Sequence, residues 1–266
     1  MSSSLLMFNL KNNYKIWLIF MLIMMMYKTI IMGMYDPENA EAIEAMLEMF
    51  PPALLNAMGF NILDASLNGF LAGYYYGFIV ILFPLIFTIM LSYKLIGKYV
   101  DDGSMAFLLS APVSRQTLAR TQGFTLFGMV TDLIASITLI GLIFSALLFP
   151  GELNIGRYLL LNLGVIFLFF AISGITYLCS TLFNEAKHML GFSIGILVAF
   201  FVIDMLSSVD ERLDFLQYFT LFTLFDGNKI NQGDPIIYFH FTLLCLVGIL
   251  SYALGYSAFI RKDLTL

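Results

Sequence analysis

Six apolar stretches, each about as long as a helix needs to cross a bilayer, divide this chain, and its polar residues gather between them. They run near Lys15–Tyr35, Gly69–Ile96, Gln122–Phe149, Arg157–Phe183, Met189–Ser207 and Ile236–Ile260. Roughly 30 Å of hydrocarbon requires about 20 apolar residues in helical form. Inside lipid every backbone N–H and C=O must find a partner within the protein, which leaves only helices and closed barrels. The runs are continuous rather than alternating, so helices are expected and a barrel is not. The pattern predicts an all-α polytopic membrane protein, with residues 1–266 forming a single transmembrane domain. The connections are a loop over 36–68, a second over 100–121, two very short turns, and a fifth loop over 208–235. Met1 to Asn13 carries three serines but no cleavage site after a short apolar core, and is read as mature sequence.

Composition agrees, since a chain with 60% hydrophobic and 12% charged residues cannot fold around one water-soluble core. Six crossings put both termini on one side. Placing them in the cytoplasm puts Lys11, Lys15, Lys94, Lys98, Arg115, Arg120, Lys187, Arg261 and Lys262 inside, against Arg157, Arg212 and Lys229 outside. The excess of inner lysine and arginine favours that orientation. Acidic residues run the other way, with Asp36, Glu38, Glu41, Glu44, Glu48 and Asp64 in a first loop that lacks basic residues. This asymmetry accounts for the net charge of −5.

Two of the loops are patterned. Glu38, Glu41, Glu44 and Glu48 recur at helical spacing opposite Ile43, Met46, Leu47 and Phe50, up to Pro51-Pro52. That predicts an amphipathic helix lying over the outer ends of the spans, or an acidic vestibule for a cationic cargo. The fifth loop holds Leu213, Phe215, Leu216, Phe219, Leu221, Phe222, Leu224 and Phe225, which is too apolar for a solvated connector. A re-entrant or amphipathic segment is expected there, followed by a polar turn at Asp226-Gly227-Asn228-Lys229.

Within the spans, Gly69, Gly73 and Gly77 recur every four residues, a smooth strip suited to close helix packing or a subunit seam. Gly191 and Gly195 repeat the device, and Pro84 predicts a kink in the second span. Ionisable groups at depth are costly, which makes Lys28, Asp132 and Asp204 candidates for a transport path or for buried polar contacts. Lys28 and Asp204 stand near span ends, where snorkelling or capping is expected. Asp132, about ten residues into its span, should face protein or water. Cys179 and Cys245 fall inside spans and read as packing residues, and His240 as a neutral hydrogen-bonding group.

No phosphate-binding loop is present; the Gly97-Lys98 pair is followed by Tyr99 and lacks the preceding glycine. HExxH, GxSxG and Cys/His ligand clusters are also missing, so no catalytic residue and no metal site are expected. The distinctive segment is Asp101-Asp102-Gly103-Ser104, followed by Leu108-Leu109-Ser110-Ala111-Pro112-Val113-Ser114-Arg115, between the second and third spans. Its acids favour a helix N-terminus, Leu108 and Leu109 make an apolar knob, and Pro112 ends the turn. Such a helix fits a groove on a partner, or anchors the bundle at the interface.

This segment resembles the coupling helix of type-2 permeases of ATP-binding-cassette exporters. Six spans, the apolar stretch before the last and the Arg261-Lys262-Asp263-Leu264 finish extend the likeness over the whole chain. Departures are an Asp where the family usually has Glu, and Gln122, with Arg120 nearby, where a basic residue often opens span three. The resemblance implies a non-enzymatic transmembrane subunit in a prokaryotic plasma membrane. It would work with a second permease copy, identical or sister, and with a separate nucleotide-binding subunit that holds ATP and Mg. Its partners would thus be that ATPase, the second copy and the bilayer, with no nucleic acid. Asp101 to Ser104 and Leu108 to Arg115 would receive the motion, and the nearest subfamily exports amphipathic peptides or toxins. Two other readings are a secondary transporter using Asp132 as its ion site, and a membrane scaffold or immunity protein that only binds a toxin. The first predicts an inverted repeat, which the sequence lacks.

Overall fold

The computed structural model describes residues 2–36, 66–103, 114–209 and 211–261. The acidic stretch Glu38–Pro52, the loop residues 104–113 and the tail Lys262–Leu264 lie outside the described residues. Among those described, helix is the regular structure throughout, and six helices are long and apolar enough to cross a membrane. They are α1 (Ser3–Met34), α2 (Leu67–Gly97), α3 (Arg115–Leu148), α4 (Ile155–Leu182), α5 (Ala186–Ser207) and α6 (Ile236–Arg261). Side-chain caps start several of them. Ser66 accepts the Gly69 N–H, Ser114 that of Thr117 and Asn154 that of Arg157, each satisfying a first-turn donor.

Odd helices run parallel to odd helices and even to even, as an up-and-down order requires. Ser2 meets Thr121, Asn9 meets Gln122 and Lys28 meets Ile137, so α1 and α3 climb together. Asn68 pairs with Asn154 and Ser92 with Thr176, which aligns α2 with α4. The Asn68 amide both accepts the Asn154 N–H at 2.7 Å and donates to its carbonyl at 3.1 Å, pinning the start of α2 to the turn before α4.

Helices α4 and α6 form the closest parallel pair, and glycine makes their approach possible. A Cβ on Gly248 would stand 2.4 Å from the Phe170 ring, one on Gly255 2.6 Å from the Tyr177 ring, and one on Gly174 3.1 Å from the Gly248 carbonyl. Small residues substitute for the hydrophobic driving force that lipid withholds, because they let backbones and rings touch. The glycines singled out by spacing divide between two environments. Gly69 and Gly73 are buried inside the subunit, in keeping with close helix packing, and Gly77 is half-buried. Gly191 and Gly195 are exposed with open space around them, so they pack against nothing within the described residues. Periodicity found these strips but could not say which face of each helix turns inward.

Pro84 lies within an α-helical stretch, Val80–Ser92, and the departures from α geometry fall elsewhere. Two wide π turns, Tyr75–Ile79 and Tyr93–Gly97, interrupt α2, with Val80 N–H reaching back to the Tyr75 carbonyl. The helix extends one further turn, Lys98–Asp101. Between α5 and α6 the chain forms 3-10 turns at Glu211–Phe219 and Phe222–Leu224, then the short helix Gly227–Gln232. Phe222 and Phe225 are buried against the bundle, while Phe215, Tyr218 and Phe219 point outward. The expected polar turn is thus the start of a helix: Asp226 accepts the N–H groups of Asn228 and Lys229, and Gly233, with φ +80°, ends it. Cys179 is buried and Cys245 half-buried, both as free thiols.

Candidate coupling end and intramembrane polar sites

The connection from α2 to α3 is described at both of its ends. Asp101 is the last residue of its helical turn, Asp102 follows it, and Gly103 turns the chain away with φ +71°. The two acids therefore close the helix that precedes the connection, and the helix they are expected to open falls on residues outside those described. Asp101 Oδ1 accepts the Ala186 N–H at 2.9 Å, tying the end of α2 to the first residue of α5. Burial of Tyr99, with the Asp102 carboxylate beside it, pushes its phenol above the ordinary range. At the far end Ser114 caps α3 and Arg115 is its first residue, so both belong to the membrane helix itself. Ser104, Leu108, Leu109, Ser110, Pro112 and Val113 lie outside the described residues.

Lys28 does not snorkel. It is 1% exposed, and its Nζ donates to the Tyr158 hydroxyl at 2.5 Å and to the Ile137 carbonyl at 3.3 Å. The Tyr158 hydroxyl in turn donates to the Thr138 carbonyl at 3.0 Å. Three ring faces surround the amino group, with centroids at 4.9 Å for Tyr75, 5.8 Å for Tyr76 and 4.8 Å for Tyr158. The first π turn of α2 holds Tyr75 and Tyr76 there, both 1% exposed. Room for the lysine comes from Gly141, where a Cβ would lie 2.1 Å from the Tyr158 hydroxyl and 2.8 Å from Nζ. One side chain of α1 thus touches α2, α3 and α4 at once.

Asp204, near the end of α5, accepts the Thr223 hydroxyl at 2.8 Å, which ties α5 to the 3-10 segment. It lines a cavity of about 570 Å³ between α2, α5 and the 211–232 region. Asp214, Gln217 and an Asp226–Lys229 ion pair at 3.5 Å supply further polar wall, and Phe201 and Phe222 supply aromatic wall. Gly77 opens onto the same cavity. Asp132 is separate from both groups. Its side chain is exposed on the outer surface of α3, beside α1. The structure therefore brings Asp204 and Gly77 to one cavity, and leaves Lys28, Asp132 and the α2–α3 connection each in a place of its own.

Sequence reasoning passed over a polar cluster at the start of α1. Asn9, 2% exposed, donates to Gln122 Oε1 at 2.7 Å and to the Thr125 hydroxyl at 3.4 Å. Asn13 donates back to the Asn9 carbonyl at 2.9 Å. Gln122, noted only as a departure from the expected basic residue, is thus a buried partner of α1. The i, i+4 spacing of Asn9 and Asn13 on an otherwise apolar helix was the available signal.

The sequence profile described as ABC-2 family transporter protein matches residues 11–264. No curated protein and no solved structure matches the chain.

Proposed function

The chain belongs to the ABC-2 transporter family as a membrane permease of an ABC transporter, and from that premise we propose that it exports an amphipathic substrate. Peptides are the proposed class. The observation that carries the reading is the family match over nearly the whole chain, joined to a sequence without a phosphate loop. Such a permease needs an ATPase partner, and a second permease copy would complete the path. The proposed dock is the connection from Asp101 to Arg115, with Leu108 and Leu109 as the apolar knob.

Support for that dock is mechanical. The end of α2 is tied to the start of α5 through Asp101, and α3 begins on a firm Ser114 cap. A push between them would move three membrane helices as levers rather than fray their ends. Both termini lie in the cytoplasm in this reading, following the lysine and arginine excess on that side. The cavity at Asp204, with charged and aromatic walls, suits a molecule with both polar and apolar parts.

The test is co-purification with the cognate phosphate-loop ATPase, and ATPase activity in proteoliposomes challenged with amphipathic peptides or with lipids. Leu109→Asp should abolish co-purification while the permease still folds. Stimulation by peptide supports the cargo class, and stimulation by lipid alone overturns it. Transport by the permease without its ATPase would overturn the coupling reading and favour an ion-gradient mechanism. A complex that forms but never responds to cargo would favour a binding or immunity role.

A further inference from the structure

In the first half of α1 and α3 an outward groove of about 410 Å³ runs up to Asp132, with Tyr14, Trp17 and Phe124 among its walls. Helix α3 has 34 residues and is about 51 Å long. Asp132, seventeen residues beyond Arg115, stands about 26 Å from its start. Whichever 30 Å of that length lies in hydrocarbon, Asp132 is inside it. Its carboxylate is exposed, and neither a hydrogen bond nor an ion pair reaches it among the described residues.

A bare carboxylate facing lipid is costly, and side chains of this kind are retained where they meet a counter-charge or water. The groove restricts the counter-charge. A small inorganic cation wants a shell of several oxygens. Here the side-chain oxygens of the wall are those of Asp132, Thr125 and Tyr14, too few for such a shell, and the remaining wall is mostly apolar. Aromatic faces suit an organic cation, whose charge they attract and whose apolar body they cover. Tyr14 and Phe124 are each about half exposed, at 53% and 52%, so their rings are accessible from the bilayer. Gly128 has open space around it, which leaves the floor of the groove unfilled. The volume falls within the roughly 300–1,000 Å³ of small-molecule sites.

We infer that this groove binds a lipophilic organic cation arriving from the bilayer, with the Asp132 carboxylate as its counter-ion and the Tyr14, Trp17 and Phe124 rings as its apolar clamp. The site goes beyond the permease reading, and its occupation needs neither ATP nor the ATPase.

The chain carries its own reporter, because Trp17 is its single tryptophan. The full chain, in nanodiscs of uncharged lipid, is titrated with radiolabelled tetraphenylphosphonium while Trp17 emission is followed. Triphenylphosphine oxide, neutral and of similar shape, serves as control. Expected is saturable phosphonium binding that changes Trp17 emission, weakened at least tenfold by Asp132→Asn and retained by Asp132→Glu. The neutral control should bind weakly and alike in all variants. Gly128→Leu, whose Cβ meets no protein atom within 4 Å, should also abolish binding while helicity and elution are unchanged. Equal phosphonium binding by the wild type and Asp132→Asn overturns the inference, as does purely partition-like uptake. So does a wild-type Trp17 that ignores the cation while Asp132→Asn turns a dimer into a monomer, because that result assigns the face to a second copy. Failure of the ATPase co-purification would leave all these outcomes readable.

Discussion

Gly141→Ala should be among the most damaging single-methyl additions in this protein, and the reason lies in the Lys28 site. The new Cβ would stand 2.1 Å from the Tyr158 hydroxyl and 2.7 Å from Lys28 Cε, so the lysine and tyrosine cannot both keep their places. Neither can retreat easily, since Tyr158 is fully buried and Lys28 is 1% exposed. Overpacking of this kind costs about 1–3 kcal/mol. Breaking the buried bond from Lys28 to Tyr158 adds about 1–3 kcal/mol, depending on whether either group finds a new partner. The expected loss is about 2–6 kcal/mol, or a melting temperature lower by roughly 6–18 °C for a chain of this size. Lys28→Met should cost less, because Tyr158 keeps its bond to the Thr138 carbonyl. The decisive measurement is the double-mutant cycle, read by reversible unfolding in mixed micelles. Lys28→Met with Gly141→Ala should lose less than the two single losses summed, since the thioether can yield where the amino group could not and only the Tyr158 clash remains. Additive effects, or a Gly141→Ala protein within about 0.5 kcal/mol of wild type, would refute the claim that this glycine exists to seat the lysine.

Three further outcomes can be read in the same assay. Gly248→Ala and Gly255→Ala should each destabilise by about 1–3 kcal/mol through the Phe170 and Tyr177 rings. Gly191→Ala and Gly195→Ala, which meet open space, should be neutral or slightly stabilising through helix propensity; a cost at those two would show a contact that this chain alone does not make. Gln122→Leu should cost about 1–3 kcal/mol by leaving the Asn9 amide only its 3.4 Å contact to Thr125, and Asn9→Leu with Gln122→Leu should recover most of it.

The number and approximate position of the membrane helices, and the all-helical class, were legible from the chain because hydrophobicity summed over about 20 residues is a local property. The family was legible through a short patterned connection, and the profile match over 11–264 agrees with it. Contacts between helices were not legible, because in a helix apolar all round no polar face marks which side turns inward. That is why spacing alone did not separate Gly69 and Gly73, which are interior, from Gly191 and Gly195, which are exposed, or single out Gly174, Gly248 and Gly255 at the approach of α4 and α6. The same ambiguity hid the fate of the ionisable groups. From sequence, Lys28 and Asp132 differ only in depth along a span. Tertiary packing reverses the expectation, enclosing Lys28 among three tyrosines and leaving Asp132 bare on a groove. The free energy of a charge in a membrane depends on what stands within a few ångströms of it, and only the packed bundle supplies those neighbours.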